Sequence, residues 1–217
     1  MHKIIIFGAS GRTGILLVNQ ALKQGHLVTA FTHTPPPEGT LPNHQNLSVI
    51  SADASQEMAV LQAIQGHNVI INVIAPKLFD TNNHFISETA TKNIINSMYK
   101  TGAKRYIGQS GAWATEHLED ASQPMKIAFN LMPQFKSIYK YKKLEDQIIK
   151  SSGLNYTIVR CGRLTDDQPI SNYRVFMDRY KCKSFEIPKI RRINVADFEL
   201  NIIDKAEFVG KCPIIIE

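Results

Sequence analysis

The apolar run Ile4-Ile5-Ile6-Phe7 leads directly into Gly8-Ala9-Ser10-Gly11-Arg12-Thr13-Gly14, and helically spaced apolar residues follow at Ile15, Leu16, Val18 and Leu22. A strand, a glycine turn and a helix in that order leave few folds open. The first glycine permits a tight turn, the second a close approach of main-chain N–H groups, and the third close packing of helix on strand. The helix N-terminus beyond the turn supplies unpaired N–H donors and a partial positive charge. Together these suit the diphosphate of a dinucleotide. A plain strand-to-helix turn is the competing reading.

Apolar runs alternate with amphipathic segments along the chain, the pattern of a parallel sheet covered by helices on both faces. Residues 3–7 read as the first strand and Arg12 to about Gln24 as the first helix, ended by Gly25. Leu27–Phe31 and Leu47–Ser51 read as strands two and three, separated by a polar loop around Pro35-Pro36-Pro37. Ser55 starts a helix through Ile64 that Gly66 stops. Asn68–Ile74 is a nearly continuous apolar run, as a strand buried on both faces requires. A helix from about Asn82 to Lys100 precedes a strand from Lys104 to Gln109, which delivers Ser110 to its carboxyl end.

Residues 111–125 read as a loop, and one long helix runs through Tyr139 and Lys143 to Ser152. Tyr156–Arg160 reads as a sixth strand, followed by an irregular basic stretch with a hairpin-like piece at Tyr173–Met177. A helix from Val195 to about Lys205 and a strand over Pro213–Ile216 close the pattern. The expected fold class is α/β: a Rossmann-like, doubly wound parallel sheet with helices on both faces and a small irregular C-terminal substrate region. Residues 1–217 form a single domain in this reading, with 161–193 as a substrate-side insertion.

Composition bears on partners. No run reaches the apolar length of a membrane span, and Ile4–Phe7 is too short for a secretory signal. Cys161, Cys182 and Cys212 are odd in number and lack metal-site spacing, which reads as reduced thiols, no metal and a cytoplasmic protein. The formal charge is +6, and residues 161–193 hold eight basic side chains (Arg163, Arg174, Arg179, Lys181, Lys183, Lys189, Arg191, Arg192) against four acids. A solvated basic face is the plain reading. The sharper one is a surface that draws an anionic small-molecule substrate to the cofactor's mouth. No nucleic-acid-binding motif or aromatic–basic strip is present, so no nucleic acid partner is expected. The oligomeric state is left open.

An NAD site usually carries an acid after the second strand, placed on the ribose 2′-hydroxyl. Here the position reads Thr32-His33-Thr34, with no carboxylate to repel a 2′-phosphate. Arg12, inside the glycine turn, has a guanidinium able to fold toward that phosphate, and the Thr32 and Thr34 hydroxyls, with His33 when protonated, add donors. NADP(H) is therefore expected over NAD(H), against the alternative of a solvated Arg12. Asp53, after the third strand, either accepts from the adenine amino group or caps the helix that follows.

These residues resemble the atypical short-chain dehydrogenase/reductases, most closely the NAD(P)H-binding, NmrA-like proteins and their biliverdin-IXβ/flavin reductase group. The resemblance rests on Gly8–Gly14, Asp53, Ile74-Ala75-Pro76, Ser110, the run Ser152-Gly153-Leu154-Asn155-Tyr156-Thr157-Ile158-Val159-Arg160 and Asp167-Gln168-Pro169. It implies that Ser10, Gly11, Arg12 and Thr13 hold phosphates and that Asp53 with Ala54 meets the adenine. Ile74, Ala75 and Pro76 would line the ribose, with Gln109 and Ser110 on the nicotinamide side. Cys161 and Gly162 would occupy the family's Pro-Gly or Pro-Pro position beneath the nicotinamide, where cysteine replaces proline. Arg163 would point toward the substrate.

Members of this superfamily with a full catalytic triad use Ser with Tyr-x-x-x-Lys. Tyr139 and Lys143 have that spacing, four apart on one helix face, with Ser110 as the serine. Counting back from Ser152-Gly153-Leu154 places the family's lysine at Lys142 instead, with Ile138 at the tyrosine position. One residue rotates a helix by about 100°, so the two registers exclude each other. The flavin reductase group implies direct hydride transfer to a stacked conjugated ring, with protein supplying orientation more than acid–base catalysis. The expected function is an NADPH-dependent reductase of a flavin, quinone or tetrapyrrole-like molecule. The alternative is a noncatalytic NADP(H) sensor or partner-binding protein, as some NmrA-like members are.

Overall fold

A computed structural model describes residues 1–75, 85–112, 118–167, 172–177, 179–183 and 185–217. Strands β1 (Lys3–Phe7), β2 (Leu27–Thr32), β3 (Leu47–Ser51), β4 (Val69–Asn72), β5 (Arg105–Gly111) and β6 (Asn155–Cys161) alternate with helices α1 (Arg12–Lys23), α2 (Glu57–Ile64), α3 (Phe85–Thr101), α4 (Gln123–Leu131) and α5 (Pro133–Lys150). Three short strands follow, β7 (Arg163–Thr165), β8 (Arg174–Phe176) and β9 (Lys189–Arg191), then α6 (Arg192–Asn201) and β10 (Ile214–Ile216).

The main sheet has eight strands in the order β3-β2-β1-β4-β5-β6-β10-β8. Its pairs are parallel except β10 with β8. Strand order reverses between β1 and β4, the crevice where doubly wound sheets bind ligands. Alternation along the strands sends side chains to two cores. Ile4 and Ile6 face α1 and α6, among Leu17, Val18, Val195 and Phe198. Ile5 and Phe7 face the other side, among Val60, Ile64, Ile94 and Met98 of α2 and α3 and Ile149 of α5. Helices on both faces of a parallel sheet are thus observed as expected.

Several boundaries differ for local reasons. β4 ends at Asn72, because the Asn72 side chain accepts from the Ile74 N–H and turns the chain out of the ladder. α2 starts at Glu57, since Asp53 first closes a turn by accepting from Ser55 N and Gln56 N. The single long helix becomes α4 and α5 broken at Met132, held extended (φ −107°, ψ 112°) by the proline that follows it. α4 also takes in residues 123–125 of the expected loop. Tyr173–Met177 is no hairpin; β8 adds to β10 at the sheet's edge, while β7 and β9 form a separate parallel pair. Among the described residues no helix is long and apolar enough to cross a membrane.

Candidate cofactor site

The glycine turn closes the gap between β1 and α1 with main chain alone. Gly8 has φ +83°, and a Cβ there would lie 3.1 Å from Ile74 N at the end of β4. A Cβ on Gly14 would lie 2.2 Å from the Gly8 carbonyl oxygen and 2.7 Å from Ala9 Cα, so only glycine lets α1 pack this close to β1. Gly11 is the N-cap of α1 and brings no capping side chain. Gly8 N and Ala9 N donate to Phe31 O, and Gly11 N to Gly8 O. Among the described residues nothing accepts from the N–H groups of Ser10, Arg12, Thr13 or Gly14. No acid in the first turn of α1 offsets the positive end of the helix. A dinucleotide diphosphate fits this cradle on two counts: donors without acceptors, and a floor that a single Cβ would fill.

The ribose and adenine side is more constrained than the sequence suggests. Thr32 is buried, and its hydroxyl contacts Ile50 O (3.4 Å) and Ser51 Oγ (3.1 Å) instead of facing the crevice; His33, next along, is exposed. Asp53 Oδ1 accepts from Ser55 N at 2.8 Å, a bond that outweighs desolvation and holds its carboxyl below the usual range. Buried Ala54 is pinned by Asn93 Nδ2, which donates to Ala54 O and Ser55 O. Ile74 and Ala75 follow β4; Pro76 lies outside the described residues.

Asn72, which the sequence reading passed over, organises this end of β4. It donates to Thr91 Oγ1 and to Tyr106 Oη (both 3.1 Å) and accepts from Ile74 N. Burial pushes the Tyr106 phenol well above its ordinary pKa, so it stays a neutral donor–acceptor. The Tyr106 ring covers Gly108, where a Cβ would lie 2.8 Å from Cε1. The signal was present as the one amide inside the apolar run Val69–Ile74.

At the carboxyl ends of β5 and β6, Ser110 is paired in register with Arg160, and Gly111 with Cys161. Gln109 is half-buried, whereas Ser110 is buried with no partner for its hydroxyl among the described residues. Cys161 is buried, and desolvation followed by the nearby Glu199 pushes its thiol well up, so it is an inert neutral group. The main chain beside it is occupied: Cys161 O accepts from Ala112 N, and Gly162 N donates to Ile215 O. A Cβ on Gly162 would lie 2.8 Å from Pro188 O.

α5 separates the two lysine registers. Lys142 points inward and donates to Glu145 Oε2 at 2.8 Å, with side chains 9 % and 6 % exposed; Lys143 points outward and is exposed. Tyr139 is half-buried, its ring centroid 6.2 Å from that of Phe129 on α4 in an edge-to-face contact. Arg160 is buried against Asp146 (3.0 Å) on the same side of the sheet.

Much of the basic stretch is used within the fold. Arg192 pairs with Asp166 (2.6 Å), and Arg179 forks onto Asp120 and reaches Glu119 (3.0 Å). Arg191 N donates to Glu217, and Arg174 stacks over Phe176 and Tyr180. Arg163 is exposed on β7, as are Lys181, Lys183 and Lys189. Arg12 extends to Asp166 (2.9 Å). A cavity of about 290 Å³ lined by Lys3, Thr29, Ser48 and His67 lies at the amino ends of the strands, opposite the glycine turn.

Comparison with known proteins bears on the fold and the family. An uncharacterised chloroplastic protein of Arabidopsis thaliana is 26 % identical over 175 residues, 78 % of this chain and 62 % of that protein. The chain spans less than two thirds of the curated relatives it matches, from 31 % to 62 % of their length. A short-chain dehydrogenase/reductase from Veillonella parvula, solved in complex with NADP, superposes with TM-score 0.79 at 19 % identity, covering 100 % of this chain and 95 % of that one. The anaerobilin reductase of Escherichia coli O157:H7 superposes with TM-score 0.75 at 20 % identity, covering 99 % and 96 %. At such identities these likenesses concern the fold. The model of the family described as NAD(P)H-binding matches from residue 8, the first glycine of the turn, to residue 206, and the chain belongs to that family.

Proposed function

We propose that this chain is an NADP(H)-dependent oxidoreductase that passes hydride to a conjugated small molecule of the flavin, quinone or tetrapyrrole class. One observation carries the reading: an open cradle of main-chain amides at Gly8–Gly14, beside a second-strand terminus (Thr32, His33) without a carboxylate. The closest affinity within the family is then the biliverdin-IXβ/flavin reductase group, in the cytoplasm. The nicotinamide supplies hydride when bound. The chain's residues bind and orient: the Ser10, Arg12, Thr13 and Gly14 amides take phosphate, Arg12 adds charge, Asp53 and Ala54 border the adenine, and Ile74 and Ala75 border the ribose. Ser110 is the side chain placed to donate a hydrogen bond near the reacting rings, and its buried hydroxyl has no partner to lose among the described residues. Arg163 and the exposed lysines of 181–189 suit a substrate bearing carboxylate or phosphate.

Titration with NADPH and NADH tests the cofactor half of this reading: NADPH is expected to bind at least about ten-fold tighter, a difference of about 1.4 kcal/mol. Equal affinity, or tighter NADH, removes it. Oxidation of NADPH in the presence of FMN, quinones, biliverdins or aldehydes tests the other half. A second reading, a noncatalytic NADP(H) sensor, draws support from Lys142, whose ammonium is committed to Glu145. Tight NADPH binding with no turnover on any acceptor favours the sensor.

A further inference from the structure

Asp166 follows β7 and stands between two arginines from distant parts of the chain. Its Oδ1 accepts from Arg192 Nη1 at 2.6 Å and its Oδ2 from Arg12 Nη1 at 2.9 Å. The two guanidiniums are not equivalent. Arg192 opens α6 with 9 % of its side chain exposed, and a cation so placed needs a counter-charge from the protein. Arg12, at 70 %, is solvated with or without a partner, so its pair with Asp166 is the weaker of the two. Asp166 is therefore anchored by Arg192 and lends its second oxygen to Arg12. Desolvation opposes ionisation of Asp166, but the charges and hydrogen bonds of Arg192 and then Arg12 prevail and keep its carboxyl below the ordinary value.

Arg12 is also the first residue of α1, where its own main-chain N–H belongs to the open cradle. An anion arriving there meets a guanidinium that already holds an anion. We propose that Asp166 is a built-in competitor for the dinucleotide's phosphates: it occupies Arg12 until the cofactor binds, and Arg12 then passes from the Asp166 carboxylate to a ligand phosphate while Arg192 retains Asp166. The proposal rests on the reading of the glycine turn as an NADP(H) site. Asp166 thus lowers cofactor affinity, and the phosphate that captures Arg12 decides selectivity. Capture by the 2′-phosphate favours NADPH alone; capture by the diphosphate favours both dinucleotides. The exchange also removes one of two tethers on the end of β7, the strand that carries Arg163.

Calorimetric titration of NADPH and NADH into wild type, Asp166→Asn, Arg12→Ala and the double variant at low ionic strength tests this. Asparagine keeps an oxygen for Arg192 but removes the charge that holds Arg12. Asp166→Asn is expected to tighten NADPH by about two- to five-fold, the range of an exposed ion pair, with no such gain in the Arg12→Ala background. A gain for NADPH alone identifies the 2′-phosphate, and an equal gain for NADH identifies the diphosphate. Unchanged or weaker binding in Asp166→Asn, or the same gain without Arg12, overturns the proposal. Wild-type protein that binds neither dinucleotide overturns the cofactor reading itself, before any variant is made. Should Asp166→Asn fail to fold, hydrogen exchange decides on wild type: amides 163–167 exchange faster in saturating NADPH if the tether is released, and unchanged or slower exchange overturns it.

Discussion

Up to residue 104, the buried polar side chains among the described residues are hydroxyls, amides and one imidazole, His26, kept neutral chiefly by burial. From Arg105 onward they include Arg105, Asp120, Lys142, Glu145, Asp146, Arg160, Arg192 and Glu199. Both halves contribute to one sheet, yet they are held in different ways. The amino half is shaped by main chain: glycines without Cβ atoms, the buried apolar runs Ile4–Phe7 and Val69–Ile71, and one amide clamp at Asn72. The carboxyl half is shaped by charges brought together from distant segments, as when Arg105 ties β5 to the carbonyls of Ile202 and Ile203. Removing ions from water is expensive, so each such pair adds little net stability and strongly disfavours any arrangement that separates it. In the proposed function the amino half binds through what the backbone leaves open, whereas the carboxyl half presents substrate-side residues on a framework of fixed charge.

The sharpest way to break this contrast is to remove one member of a buried pair. Asp146→Ala withdraws the carboxylate from Arg160, which is 2 % exposed, and is expected to cost about 3–5 kcal/mol in urea unfolding. Replacing both together, Asp146→Leu with Arg160→Met, is expected to lose markedly less, because no charge is then left buried. A double variant as damaged as the single one would show that packing, not charge, governs this half. In the amino half the corresponding blow is a methyl group. Gly14→Ala places a Cβ 2.2 Å from the Gly8 carbonyl, and α1 has to lift from β1. The expected cost is about 3 kcal/mol, together with loss of detectable NADPH binding. Retained NADPH affinity would mean that the turn's exact closeness is not what binds phosphate.

The same contrast explains what was legible in the sequence. Ile4–Phe7 and Gly8–Gly14 carry their meaning within a dozen residues, so strand, turn and helix were placed within a residue or two. Asp53 stayed ambiguous, because an acid after a strand serves a turn as well as a ligand; its bond to Ser55 N is local. Thr32 was expected to add a donor for a phosphate; strand alternation could not show that β3 would meet its hydroxyl with Ser51. In the carboxyl half, Asp166 with Arg12 and Arg179 with Asp120 join residues more than fifty positions apart, and no periodicity announces such pairs. The choice between Lys142 and Lys143 needed the helix phase relative to the sheet, which Met132–Pro133 resets by breaking the expected single helix.

Glu199 sharpens the comparison from the other direction. It lies on α6 at 0 % exposure, both carboxyl oxygens lack partners among the described residues, and burial raises its pKa well above the ordinary 4.5. A carboxyl whose folded pKa exceeds its unfolded value stabilises fully below the unfolded value, and that contribution is lost as pH rises toward the folded one. Wild type should therefore lose stability relative to Glu199→Gln as pH climbs above about 4.5, the two being similar near pH 4. At pH 8 the glutamine variant is expected to be more stable by about 1–3 kcal/mol. Urea midpoints that stay parallel from pH 4 to 8 would show that Glu199 has a partner and belongs with the paired charges after all.

The smallest effects are expected at Ser110 and Tyr139, which the proposed function sets on the substrate side. Ser110→Ala removes a buried hydroxyl that satisfies nothing within the described fold, so stability should be unchanged or slightly raised. If Ser110 orients a ring by one hydrogen bond, turnover falls about ten-fold, below the 10²–10⁴-fold of a general acid, while NADPH affinity holds. Loss of NADPH affinity instead would move Ser110 from the substrate side to the cofactor's own support. Tyr139→Phe should change turnover less still. Tyr139 packs its ring edge on Phe129, and the lysine four residues on, Lys143, is exposed on the outer face of α5. A thousand-fold loss in Tyr139→Phe would reverse this, placing proton transfer on α5 and giving the carboxyl half the chemistry as well as the framework.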